Sequence, residues 1–222
     1  MKKFLAIASL ALSLPAYAHG VDYKGTHSQD QSWWAPSNLY IGVYQGYGNV
    51  NNMLSNDGQG AIGRLVFGLD FYTMNIYTFN PVTFSLELGL QNGRTMRHTP
   101  SLNDPDFAID LPIQTTLNPV LDFMLSARTP VYCGFYGILK GGMAYRQLQF
   151  TNGDFVNSLN QISGEFQAGV GYDLTTHARV VAYYQGIYAN GSVKYTGNSS
   201  GVITVSNIPT QQAGFLGFEL SL

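Results

Sequence analysis

A regular alternation of apolar and polar residues is the feature that most constrains the fold of this chain. It occurs at residues 214–222, where Leu216, Phe218, Leu220 and Leu222 alternate with Phe215, Gly217, Glu219 and Ser221. The same period of two recurs at residues 64–71 and 84–91. Successive side chains of a β-strand point to opposite faces, so the pattern predicts strands with one apolar and one polar face.

Such strands suit either a half-buried sheet in water or a barrel with lipid outside and a polar lumen inside. Beyond residue 18, no apolar stretch approaches the ~20 residues that a membrane helix requires. About eight alternating segments can be counted, and eight is the smallest even number of strands that closes a bacterial barrel. We therefore predict an all-β protein, an antiparallel up-and-down transmembrane β-barrel of about eight strands.

The spacing of the segments supports this architecture, because such barrels have short periplasmic turns and long outer loops. Short connections are expected at residues 73–81, 127–130 and 175–177. Long connections are expected at residues 48–58, 92–110, 151–160 and 190–208, the third with one helical turn near Phe155. The two kinds alternate along the chain, as an up-and-down barrel requires.

The segment at residues 113–125 is ambiguous. Its apolar residues fit a short helix that starts at Asn118 and Pro119, but Leu117, Leu121 and Phe123 also fit the outer face of a strand. We predict a strand, in which Pro119 requires a bulge or a distorted ladder.

The amino-terminal region has the order of a secretory signal peptide, with two lysines, an apolar run and a small-x-small cleavage site. We therefore divide the chain into a cleaved signal peptide (1–18), a periplasmic lead-in (19–37) and the barrel (38–222). Trp33 and Trp34 are expected at the headgroup level of the membrane, or alternatively as a cap on the barrel mouth. Cys133 is interpreted as a small apolar residue on a strand.

The signal peptide, the loop alternation and the terminal pattern Gly217-x-x-Leu220-x-Leu222 together resemble the small eight-stranded outer-membrane barrels of Gram-negative bacteria, the OmpA-like and opacity-protein-like superfamily. The resemblance implies an outer-membrane location with both termini in the periplasm, in contact with membrane lipid and lipopolysaccharide. It also implies that Gly217, Leu220 and Leu222 serve as the signal for the barrel-assembly machinery, although the family usually ends in an aromatic residue. A peptidoglycan-binding domain, which longer relatives carry, is not expected.

The polar face of the strands predicts the contents of the lumen. Charged residues of both signs fall on it, and buried charges persist when they are paired and hydrogen-bonded. We expect ion pairs that fill the lumen, or alternatively a gated pore in which the pairs exchange partners. The candidates are Arg64, Asp70, Glu87, Asp122, Lys140, Arg146, Glu165, Asp173, Arg179 and Glu219.

The chemistry of a catalytic or metal site is not evident. His98 lies near Ser101 and Asp104, but the His-x-Ser-Asn arrangement of barrel deacylases is missing. Asp104, Asp106 and Asp110 do not match a calcium-loop spacing, so internal salt bridges of a solvated loop explain them better than a divalent cation does. No catalytic residue, metal or cofactor is predicted.

These observations favour a non-enzymatic outer-membrane barrel that contributes to envelope structure and displays loops for surface contacts or adhesion. A narrow or gated porin is the alternative, followed by a soluble lipocalin-like binder and a lipid A-modifying enzyme. A nucleic-acid partner is not expected, because the chain has a net charge of −2 and no basic run. Loop composition does not identify a surface partner.

Overall fold

A computed structural model describes residues 38–50, 59–74, 81–98, 113–152, 155–188, 195–197, 203–205, 208 and 210–222. These residues form twelve strands, which we number in chain order. They are β1 (Leu39–Val50), β2 (Gln59–Met74), β3 (Val82–Gln91), β4 (Arg94–His98), β5 (Ile113–Leu117), β6 (Val120–Tyr132), β7 (Phe135–Asn152), β8 (Phe155–Asp173), β9 (Ala178–Tyr188), β10 (Tyr195–Gly197), β11 (Ile203–Val205) and β12 (Gln211–Ser221).

The strands close into a barrel. Antiparallel pairing runs in the order β8, β9, β12, β1, β2, β3, β6 and β7, and β7 pairs in turn with β8. The first and last strands meet at the closure, where Tyr40 lies opposite Ser221 and the Leu222 N–H donates to the Leu39 carbonyl at 2.9 Å. The predicted eight-stranded antiparallel barrel is therefore confirmed.

Two of the eight barrel strands, β3 and β6, are separated by short breaks from a further strand segment towards the mouth. Asn92 and Gly93 separate β3 from β4, and Asn118 and Pro119 separate β5 from β6. The segment at residues 113–125 is therefore a strand with a break at the proline, as predicted. The break shifts the alternation, so that Leu117 is buried rather than on the outer face where we had placed it. The Asn118 N–H and side-chain amide both bond Gln147, which holds the break against β7.

We define the base of the barrel as the end with the turns at residues 133–134 and 174–177, and the mouth as the opposite end. The turn expected at residues 127–130 is wrong, because these residues continue β6 and the chain reverses at Cys133 and Gly134. Both residues have positive φ values, 46° and 83°. Cys133 is thus an exposed turn residue and not a strand residue. A positive φ at both central positions is typical of two-residue hairpin turns.

The mouth connections also differ in one place from expectation. β7 and β8 pair as far as Asn152 and Phe155, so residues 151–152 and 155–160 belong to paired strands, and strand stands where we expected a helical turn near Phe155. Within the connection 189–210, β10 and β11 pair as a small hairpin. The signal peptide, the lead-in with Trp33 and Trp34, and the acidic loop with Asp104, Asp106 and Asp110 lie outside the described residues.

The two faces of the wall differ as the alternation predicts. Leu88, Phe123 and Leu216 are about half exposed on the outside, whereas Tyr40, Glu87 and Glu219 are almost fully buried on the inside. Separately, the described residues contain no helix that is both long and apolar enough to cross a membrane.

Candidate functional site

The lumen contains three groups of charged side chains, stacked from base to mouth. All ten lumen candidates lie on the inner face of the wall, most of them nearly inaccessible to solvent. Strand register determines which of them meet, because cross-strand neighbours share a level of the barrel.

The base group is centred on Glu219. Its carboxylate lies 3.4 Å from the Arg179 guanidinium and 3.8 Å from that of Arg128, and it accepts a hydrogen bond from the Tyr44 hydroxyl. Arg128 also pairs with Asp70. Arg179 reaches further to Asp173, at 4.0 Å. The group is therefore a network in which two arginines each serve two carboxylates.

Arg128 was not among the candidates that sequence reasoning produced. The sequence pattern places it in the short connection expected at residues 127–130. In the structure Val120, Asp122, Met124, Ser126 and Arg128 form one inward row along β6. Continuing the alternation past Ser126 would have found this arginine.

The central group is a single ion pair. Lys140 Nζ lies 2.7 Å from Glu87 Oε2, and both side chains are 1% exposed. The second carboxylate oxygen, Oε1, accepts a hydrogen bond from the Tyr40 hydroxyl at 2.5 Å. Both oxygens of Glu87 are thus bonded, as a buried carboxylate requires.

The mouth-side group is built around Arg64. Its guanidinium pairs with Asp122, lies 3.8 Å from Glu165, and donates to the Tyr183 hydroxyl at 3.1 Å. Gln167 and Gln185 face each other on β8 and β9, and both donate amide hydrogen bonds to Glu165 Oε1. This group is the most deeply buried of the three, since the side chains of Arg64, Asp122 and Glu165 are inaccessible.

Aromatic rings lie between the central and mouth-side groups. The ring of Tyr183 packs edge-on against Tyr44 with centroids 5.0 Å apart, and stacks on Phe215 at 5.1 Å. Cations of both groups contact the same ring, Lys140 at 5.2 Å and Arg64 at 5.7 Å from its centroid. Side chains therefore occupy the middle of the lumen across its width, as is common in eight-stranded barrels.

Three inward tyrosines share an arrangement that sequence reasoning did not anticipate. Each lies directly across from a glycine on the neighbouring strand, and its ring covers that glycine. The pairs are Tyr40 with Gly68, Tyr44 with Gly217, and Tyr136 with Gly171. A methyl group at any of these glycines would overlap its tyrosine, so the rings lie flat along the wall only because the side chain is absent. Gly217, which resemblance assigned to assembly, therefore also has a packing role at the closure of the barrel.

Gly217→Ala is expected to destabilise the folded barrel by about 1–3 kcal/mol, because the added methyl would overlap the Tyr44 ring and the Val43 carbonyl. Gly214→Ala on the same strand is the matched control, since a methyl there meets nothing within 4 Å. Urea unfolding in lipid vesicles, followed by circular dichroism, measures both. Equal losses of stability would contradict this packing role.

The outer surface forms a continuous apolar belt. In the eight barrel strands, the outward side chains that the structure describes carry no charge. Exposed aromatic residues are present at both ends of the belt, with Tyr132, Phe135 and Tyr172 at the base and Tyr47 and Tyr188 towards the mouth. Leu220 and Leu222 of the terminal pattern belong to this belt. Apolar bands bounded by aromatic girdles are the mark of barrels that face lipid.

The described residues that could take part in catalysis or metal binding do not form a site. His177 lies in an exposed base turn, where its Nδ1 bonds the Thr176 hydroxyl at 2.8 Å. His98 is in β4, and its side chain lies outside the description. Among the described residues, no cluster of three or more histidine, cysteine or acidic side chains could hold a metal ion.

No protein-family model matches the chain, and no curated protein matches it. Among solved structures, Neisserial surface protein A is similar with a TM-score of 0.52 and 12% identity, over 83% of this chain and 97% of that one. Ail, the attachment invasion locus protein of Yersinia pestis in complex with the heparin analogue sucrose octasulfate, has a TM-score of 0.49 and 12% identity, over 82% and 95%. The N-terminal β-barrel domain of Pseudomonas aeruginosa OprF has a TM-score of 0.38 and 14% identity, over 82% and 97%. The first of these similarities supports the fold that the strand pairing shows, and the expected likeness to small outer-membrane barrels is confirmed at that level.

Proposed function

We propose that this protein is an integral β-barrel of the bacterial outer membrane that presents its mouth connections at the cell surface. The observation that carries the proposal is the uncharged apolar belt around a lumen of paired charges. A soluble lipocalin-like barrel would have the opposite arrangement, with an apolar interior and a polar exterior. An apolar belt around the whole barrel would cause association in water, whereas lipid can cover it.

The proposed role is non-enzymatic. A barrel whose middle is filled by ion pairs and stacked rings supplies a rigid support, and the mouth connections supply the variable surface for contact with other molecules. We propose envelope structure and surface contact or adhesion as its functions, with lipopolysaccharide and membrane lipid as its immediate neighbours. Steady ion conduction is disfavoured by the packing around Tyr183.

The membrane assignment is tested by electrophoresis and extraction. The folded protein should remain in the membrane fraction after carbonate treatment and should migrate faster on a gel when unheated than when boiled. Identical mobility, together with solubility without detergent, would refute the assignment.

The orientation is tested with Cys133, which is the only cysteine of the chain and is exposed at the base. If the base faces the periplasm, a membrane-impermeant maleimide should label Cys133 only after the outer membrane has been permeabilised. The control is Cys133→Ser combined with Ser55→Cys, which moves the thiol to a mouth connection and should be labelled on intact cells. Labelling of Cys133 on intact cells would reverse the proposed orientation.

A further inference from the structure

One residue of the last mouth connection, Ile208, lies inside the barrel against β7 and β8. Ile208, three residues ahead of β12, is completely buried. Its backbone is bonded on both sides, since its N–H donates to Gln161 Oε1 at 2.9 Å and its carbonyl accepts from Arg146 Nη2 at 3.3 Å. A loop residue that is buried with both backbone groups bonded is fixed to the barrel, because buried backbone groups cost free energy when they are unpaired.

Ser163 holds Arg146 in position to bond the Ile208 carbonyl. The Nε and Nη2 atoms of Arg146 lie 3.2 and 2.7 Å from the Ser163 hydroxyl, and the arginine side chain is fully buried. Ser163 and Gln161 are successive inward residues of β8, while Arg146 lies opposite Gln161 on β7. The adjacent strands β7 and β8 thus present three polar side chains at the level of Ile208.

Four other lumen cations, Arg64, Arg128, Lys140 and Arg179, pair with carboxylates. Each of those four named residues lies within 4.0 Å of a carboxylate. The hydrogen bonds of Arg146 described above go to a serine hydroxyl and a backbone carbonyl of the connection. Its long side chain therefore links the barrel wall to the loop.

We propose that Arg146, Gln161 and Ser163 form a mouth latch, which holds Ile208 inside the mouth of the barrel against β7 and β8. The latch gives Arg146 a positioning role at the mouth. Access to Ile208 from solvent therefore requires the latch to open.

The latch is tested on the purified, folded protein in detergent, so the result does not depend on the proposed membrane location or orientation. In the variant Cys133→Ser/Ile208→Cys, the new thiol should react with a polar maleimide at least about tenfold more slowly than the exposed Cys133 of the native protein, because reaction requires local opening. Adding Arg146→Met should raise the rate towards that of Cys133. Adding Arg179→Met, the same substitution at the base, should leave the rate low.

If the thiol at position 208 reacts as fast as Cys133, the latch does not hold residue 208 inside the barrel. Equal rates in the Arg146→Met and Arg179→Met backgrounds would overturn the role of Arg146. Gel mobility establishes that each variant is folded. If Arg146→Met does not fold, Gln161→Leu decides, since it removes the acceptor of the Ile208 N–H: faster labelling than in the parent supports the latch, and an unchanged rate refutes it.

Discussion

Lys140→Met is expected to destabilise the folded barrel by about 3–5 kcal/mol, because it leaves the Glu87 carboxylate buried without its counter-charge. Methionine has nearly the length of lysine, so the lost volume is small and the loss reports mainly on charge. The carboxylate would keep one strong bond, from the Tyr40 hydroxyl. The free energy of unfolding, measured by urea titration in lipid vesicles, gives the effect.

Two further variants separate the pair from other effects. Leu139→Met introduces the same residue at the neighbouring position on the outer face and should change stability little. Adding Glu87→Gln to Lys140→Met removes the orphaned charge while keeping an acceptor for Tyr40, so more than half of the lost stability should return. If the double variant is no more stable than Lys140→Met, the ion pair is not the source of the effect.

The faces of most strands could be predicted from the sequence because a period of two leaves only one choice once a face is known to be apolar. Arg64, Glu87, Lys140 and Glu219 were placed in the lumen on this ground, and they lie there. The prediction failed where the period is broken. Across the break at Pro119, Leu117 and Val120 are both buried although they are three residues apart.

The pairing of the lumen charges could not be predicted in full, because it depends on strand register and on the stagger around the barrel. Arg179 and Glu219 were both among the lumen candidates, but it is the register that brings them to 3.4 Å from each other. The second arginine near Glu219, Arg128, was missed because the base turn had been placed too early. The mouth latch could not be predicted for another reason, because no local pattern distinguishes Ile208 from other apolar loop residues.

The tyrosine and glycine pairs also could not be predicted, because they too depend on strand register. The 25 glycines of the chain indicate close backbone contacts, yet nothing in the sequence indicates which glycine faces which ring. The register supplies this information, since Tyr44 lies opposite Gly217 and Tyr136 opposite Gly171. Knowledge of the closing pair alone would have located the first of these contacts.

Leu88→Arg is expected to destabilise the barrel in lipid vesicles by about 2–4 kcal/mol, because the proposed membrane location puts the new charge on the lipid-facing surface near the bilayer midplane. Leu88 is 47% exposed and lies in β3 between Phe67 and Phe123, two outward aromatic residues. No polar partner is available on this part of the outer wall, where the described neighbours are apolar.

The matched control places the same arginine at the edge of the belt. Tyr132 is 77% exposed beside the base turn, so Tyr132→Arg should cost only about 0–1 kcal/mol, as expected for an arginine near the membrane interface. A soluble barrel has no such dependence on depth, because water would solvate both arginines equally. Equal effects of the two substitutions in vesicles would therefore contradict the lipid-facing belt, whereas a loss confined to Leu88→Arg places the middle of the wall in the hydrocarbon core.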